Sequence, residues 1–281
     1  MTLNRLYNKN RYHLGKLINI NKLYMLEAKE IQENWMVMIG LIEDHISEPR
    51  RTKLIEFYNK FQERIIMMPA AHKKEYHNAF PGGYVDHVNR VITCALNLYE
   101  LWGKMGADLN TFTKEELVFS ALNHDLGKMG DEENESYIEQ DDKWRQEKLG
   151  EDYKFNTKLP FASVPDRGLF LLQDHDIKYT FNEMIAIQTH DGLYDEANKK
   201  YLMTYMPEQK PRTSLPFIIH QADLMAARIE FEKEWLPKFV SGNTKVEPKK
   251  SFKLETKSIP TKQKALSSIK SEGLKNIFDS L

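Results

Sequence analysis

The stretch ALNHDLGK, residues 121–128, ends an apolar helical pattern on an adjacent histidine and aspartate. Leu117, Val118, Ala121 and Leu122 recur at the spacing of one helix face. That spacing turns His124 and Asp125 toward a core from which charge is normally excluded. A lone histidine in such a place is most often a hydrogen-bonded core residue. Here, however, two more helical segments repeat the anomaly. In YVDHVNRVITCALNLYELWGK, His87 falls within the stripe formed by Tyr84, Val88, Val91, Ile92, Ala95 and Tyr99. In LPFIIHQADLMAARIEFEKEW, Asp223 lies four residues after Ile219 and three before Ala226, among the small residues Ala222, Ala226 and Ala227. A shared divalent cation accounts for all of these at once, since each carboxylate then has a counter-charge and each imidazole a partner. Nitrogen and carboxylate donors suit Mn, Fe, Co, Ni, Zn or, less well, Mg.

The helices that must position these groups are legible from periodicity and caps, and the overall expectation is an all-α fold. One helix is expected over about 26–45, carrying Trp35, Val37, Met38, Leu41 and Ile42. A second follows Ser47 as N-cap, with Pro49 in its first turn. The third opens after the Gly82-Gly83 pair, which leaves backbone space at the helix entrance. The fourth begins at Thr113, whose spacing to Glu116 is that of a capping box, and runs into His124-Asp125. Residues 131–162 are polar and irregular, and alternation around YKFNTK predicts a short β-hairpin near 150–160. VPDRGLFLLQDH, TFNEMIAIQTH and the segment after Ser214, read as its cap, make three further helices.

Composition narrows the setting. The 281-residue chain is 41% hydrophobic, with 11% aromatic residues, as a globular protein with a real core requires. Its formal charge of −1 favours neither nucleic acid nor acidic membranes as partner. Residues 241–281 nevertheless hold nine lysines against four acidic residues, +5, so the rest of the chain carries −6. Cys94 is the only cysteine, which excludes an intrachain disulfide and a thiolate zinc site. No secretory signal or membrane span is evident, so a soluble cytoplasmic protein is expected. The organisation expected is an N-terminal helical extension over 1–75, a main domain over 76–240, and a basic linker with an amphipathic segment over 241–281. Within the last, residues 265–281 suit docking on their own domain or on a partner.

Taken in order, HNAFPGGYVDHV, LNHDLGK and HQADLMAAR resemble the H…HD…D signature of the HD-domain metal-dependent phosphohydrolases, over residues 77–235. The resemblance implies an all-α HD-domain core with His87, His124, Asp125 and Asp223 as metal ligands. It also implies hydrolysis of a phosphate ester or anhydride, a nucleotide or deoxynucleotide being the commonest substrate class, by attack of metal-bound water. Lys128, one turn after His124, is carried over as a phosphate contact; its bland alternative is a solvated helix-end lysine. Asp125 is a candidate to take the proton of the attacking water.

The segment from Ser163 to Gly192 resembles the one in which many HD proteins carry two more histidines for a second metal. His190 fits one of them. Val164-Pro165 stands where the other is expected, and His175 comes several residues too late. One ion per chain is therefore expected, with His190 in the substrate pocket. His77, Arg167 and Arg228 are candidates for substrate binding, and His220 for support behind a ligand. The rival readings are a di-iron oxygenase of the HD type, a 3′–5′ exonuclease on nucleic-acid ends, and a non-catalytic binding module. No basic-aromatic surface for nucleic acid is evident.

Overall fold

The computed structural model describes residues 26–240. The expectations for residues 1–25 and 241–281, including the amphipathic segment 265–281, lie outside the described residues.

The first helix, α1 (Ala28–His45), opens with a capping box between Glu27 and Glu30 and buries Ile31, Trp35, Met38 and Ile42 along one face. The expected second helix is two. α2 (Arg50–Lys60) starts directly after Pro49, and Phe61 leaves helical backbone before α3 (Gln62–Met67) resumes. Ser47 is not the cap. Its hydroxyl instead donates to Glu115 across the fold, 2.7 Å away.

The central element is α4 (Gly83–Lys104), whose buried side includes Tyr84, His87, Val88, Val91, Ile92 and Ala95. α5 (Lys114–Asn123) packs beside it and carries the full Thr113–Glu116 capping box. A 3₁₀ turn, Leu126–Met129, follows immediately after His124 and Asp125. The hairpin is wider than the alternation suggests. β1 (Tyr137–Glu139) and β2 (Tyr153–Phe155) pair antiparallel with α6 (Lys143–Leu149) between them. A three-residue strand so far from its partner leaves too short a pattern to read.

The remaining elements are α7 (Val164–Asp174), α8 (Phe181–Gln188), the short α9 (Lys199–Leu202) and α10 (Leu215–Val240). α10 lies along α4 and also meets α5 and α8. Ser214 does not cap it: the hydroxyl is buried without a hydrogen-bond partner. α1, α2 and α3 share one continuous apolar core with α4, α5, α7, α8 and α10. Among the described residues, no helix is long and apolar enough to cross a membrane.

Arg50 ties three helices together. Its guanidinium donates to Glu115 of α5 at 2.5 Å and to both carboxylate oxygens of Glu183 in α8, at 2.7 and 2.8 Å. The Glu183 side chain is wholly buried. Removing Arg50 strands that carboxylate, so Arg50→Ala is expected to cost about 3–5 kcal/mol in urea denaturation at pH 8. A loss below 1 kcal/mol would contradict the network. Burial raises the Glu183 carboxyl to about 7 against the pull of Arg50. The folded chain thus holds that proton more tightly than the unfolded chain. Its share of stability is full below the ordinary carboxyl value of 4.5 and is lost as pH rises through 7. Glu183→Gln is expected to flatten the decline in urea midpoint between pH 5 and pH 8.

Candidate metal centre

Three helices deliver the four expected ligands to one buried point. His87 comes from the first turns of α4, where Gly83 allows the preceding loop to cross closely. A methyl group on Gly83 would stand 2.1 Å from the carbonyl oxygen of Asn78. His124 and Asp125 come at the end of α5, where Tyr58 donates to Asn123 Oδ1 at 3.0 Å and braces the terminus. Asp223 comes from the middle of α10. His87 and His124 are fully buried and Asp125 is nearly so.

The donor atoms face one another. His87 Nε2 lies 3.3 Å from His124 Nε2, 3.1 Å from Asp223 Oδ1 and 3.8 Å from Asp125 Oδ2. His124 Nε2 lies 3.4 Å from Asp125 Oδ2 and 3.8 Å from Asp223 Oδ1. Donors about 2.1 Å from a common ion, at angles between octahedral and tetrahedral, stand roughly 3.0–3.4 Å apart. The observed edges are at that spacing or slightly wider. Buried clusters such as His87, His124 and Asp223 could therefore hold a metal ion, with Asp125 beside the two histidines.

Ring orientation supports the same fit. His124 Nδ1 donates to the carbonyl of Ala121 at 2.8 Å, and His190 Nδ1 to that of Ile187 at 2.7 Å. His87 Nδ1 faces the Glu230 carboxylate at 3.1 Å. Each of these partners is an acceptor, so each Nδ1 carries a hydrogen and each Nε2 can present its lone pair to the centre. Two such nitrogens 3.3 Å apart call for a proton or a metal ion between them.

The electrostatics favour a cation strongly. Burial disfavours a charged His87, yet Glu230 and Asp223 outweigh it and raise the imidazole to about 10. Burial likewise opposes a charge on His190, but the Asp125 hydrogen bond and Asp191 lift it to about 9. Burial works against the Asp125 carboxylate, and Lys128 and His124 still hold it well below the usual carboxyl range. In formal charges, Asp86, Asp125, Asp223 and Glu230 oppose only Arg90 and Lys128 in this buried unit. The carboxylates thus outnumber the fixed cations, and Asp191 adds a further negative charge beside His190.

The other expected residues divide. His190 reaches the centre, its Nε2 lying 3.5 Å from Asp125 Oδ1. His220 supports it from behind, donating from Nδ1 to the His190 carbonyl at 2.8 Å. His77 stands beside His87 with ring centroids 4.5 Å apart, and its buried Nε2 has no hydrogen-bond partner. Lys128 is not a solvated lysine but is largely buried against Asp125. Its Nζ lies 2.5 Å from Asp125 Oδ2, because the 3₁₀ turn folds it back onto the ligand.

Arg167 and Arg228 have other partners in the fold. Arg167 donates to the Pro160 carbonyl at 2.8 Å. Arg228 is exposed and pairs with Glu232 at 2.9 Å, being five residues past Asp223 and so about 140° around the helix from it. Val164 has a packing role: its carbonyl oxygen would lie 2.0 Å from a methyl group on Gly127, so the glycine of HDLGK admits the start of α7. His175 stacks on Phe61 and belongs to a separate, more exposed group with Glu132 and Asp174.

The sequence reading misses Glu230, Arg90 and Asp86. The signal was present: Arg90 follows His87 by three residues and Glu230 follows Asp223 by seven, each on the face of its ligand. No family model, curated protein or solved structure matches the chain.

A site built this way is expected to couple metal binding to folding. At a hundredfold excess over Kd, Mn or Co should stabilise the chain by about 2.7 kcal/mol, read as a rise in Tm. His124→Ala should abolish that rise, and a rise of equal size in the variant would place the ion elsewhere.

Proposed function

We propose that the chain is a metal-dependent phosphohydrolase of the HD type, cleaving a phosphate ester or anhydride, with a nucleotide or deoxynucleotide as substrate. The observation that carries this reading is the clustering of His87 and His124 with Asp223 on one side and Asp125 on the other, in the order and local contexts of the H…HD…D signature. A divalent ion held there would lower the pKa of a bound water and polarise a phosphoryl oxygen.

The protein's own groups take the remaining roles. Asp125 keeps Oδ2 among the ligand atoms and turns Oδ1 toward His190, where it can accept the proton of the attacking water. Lys128 neutralises that carboxylate, so Asp125 stays ionised in a buried setting. His190 Nε2, beside Asp125 Oδ1 and near His124, is the group assigned to hydrogen-bond a phosphoryl oxygen. His77 Nε2 is the second such contact, since a buried ring nitrogen without a partner calls for one from the substrate. The surrounding helices keep bulk water from these groups, which strengthens each hydrogen bond to the developing charge.

The test is a hydrolysis screen of mono-, tri- and cyclic nucleotides and short oligonucleotides with Mn, Mg, Co or Ni. Release of phosphate, pyrophosphate or triphosphate identifies the bond cleaved. His124→Ala is expected to lose at least 10²-fold in kcat while His77→Ala raises KM. Wild-type levels of hydrolysis in His124→Ala would refute the reading. A count of two irons per chain, with oxygen consumption, would replace hydrolysis by oxygenation.

A further inference from the structure

We infer that Glu230, held by Arg90 and Asp86, is a positioning residue that sets the tautomer and donor strength of His87; this rests on the metal-centre reading above. His124 and His190 both sit just past the ends of helices, where carbonyls three residues back are free of intrahelical bonds. Each ring can therefore fix its own Nδ1–H on local backbone. His87 cannot. It is the fifth residue of α4, where the nearby carbonyls are engaged within the helix. An acceptor for its Nδ1–H must come from another element, and α10 supplies it.

Glu230 lies seven residues beyond Asp223, so the two share a face of α10 to within about 20°. One helix thus delivers both a ligand and the support for a second ligand. The Glu230 side chain is 1% exposed. Oε2 accepts from His87 Nδ1 at 3.1 Å, and Oε1 accepts from Arg90 Nε at 2.9 Å while also lying 3.3 Å from His87 Nδ1. Arg90 is fixed in turn by Asp86 Oδ2 at 3.0 Å. Asp86 also accepts from Asn78 Nδ2 at 3.0 Å and from Asn34 Nδ2 of α1 at 3.3 Å. The relay runs from the outer helix to the back of the ligand, with the donor and acceptor of each bond set by chemistry. A carboxylate on Nδ1 makes the imidazole a stronger donor at Nε2, a device whose loss costs about 10–100-fold in metal affinity.

Glu230→Gln separates this role from a merely structural ion pair. The amide replaces one of the two accepting oxygens by a donor, while the other can still serve Arg90. If the oxygen stays on Arg90, the NH₂ group faces His87 and drives the hydrogen to Nε2, closing that ligand. The measurement is Mn or Co affinity by calorimetry or chelator competition, together with the visible spectrum of the Co-loaded protein. Glu230→Gln is expected to weaken affinity about 10–100-fold and alter the spectrum. Glu183→Gln, an equally buried carboxylate remote from the centre, is expected to change neither. Asp86→Asn, which releases Arg90 while leaving Glu230 in place, is expected to weaken affinity by less than tenfold, and it decides the matter if Glu230→Gln does not fold. Wild-type affinity in a folded Glu230→Gln or, failing that, in Asp86→Asn overturns the inference. Absence of any Mn or Co binding by the wild-type chain overturns the metal centre itself.

Discussion

The structure depends on one electrostatic problem, the enforced proximity of His87 Nε2 and His124 Nε2, both fully buried, with the carboxylates of Asp125 and the partly exposed Asp223. Burying such a group of lone pairs and negative charge opposes folding by several kcal/mol per ion unless a cation compensates. Most of the architecture around the site can be understood as bringing these atoms together and keeping them oriented. α4, α5 and α10 meet where their apolar faces are complementary, and the ionisable groups sit at the seam of that packing. The hydrophobic core thus provides the driving force, and the seam provides the chemistry.

Two close backbone approaches make the seam possible. Asn78 crosses Gly83 at the entrance to α4, and Val164 crosses Gly127 after the HD pair. Both glycines belong to the motifs that carry the ligands, which gives those motifs a physical reason to include them. The Asn78 carbonyl also accepts from the backbone of Ala70 and Phe80, so the loop before α4 is knit before it meets the helix. Function and fold share residues here because the site lies inside the core rather than on it.

The four candidate residues and the helices that bear them were legible because each interrupts an otherwise clear apolar stripe. His87, His124 and Asp223 are visible against Tyr84, Val88, Leu122, Ile219 and Ala226 as polar groups in the wrong place. The hairpin was only half visible, since Tyr153–Phe155 alternates while its partner strand is a separate three-residue run. The partners of Lys128, Arg167 and Arg228 were not legible, because charge and nearness in sequence do not set direction. A 3₁₀ turn sends Lys128 back to Asp125, and helix rotation sends Arg228 away. Glu230 was overlooked for the opposite reason: in EFEKEW it looks like one more solvated charge, and only the lie of α10 against α4 buries it.

The most direct test of the account is anomalous diffraction from crystals of the chain grown or soaked with Mn. The account predicts one peak per chain, about 2.0–2.3 Å from His87 Nε2, His124 Nε2, an Asp125 oxygen and an Asp223 oxygen. A fully occupied peak elsewhere, or no peak at a concentration that saturates binding in solution, would contradict it.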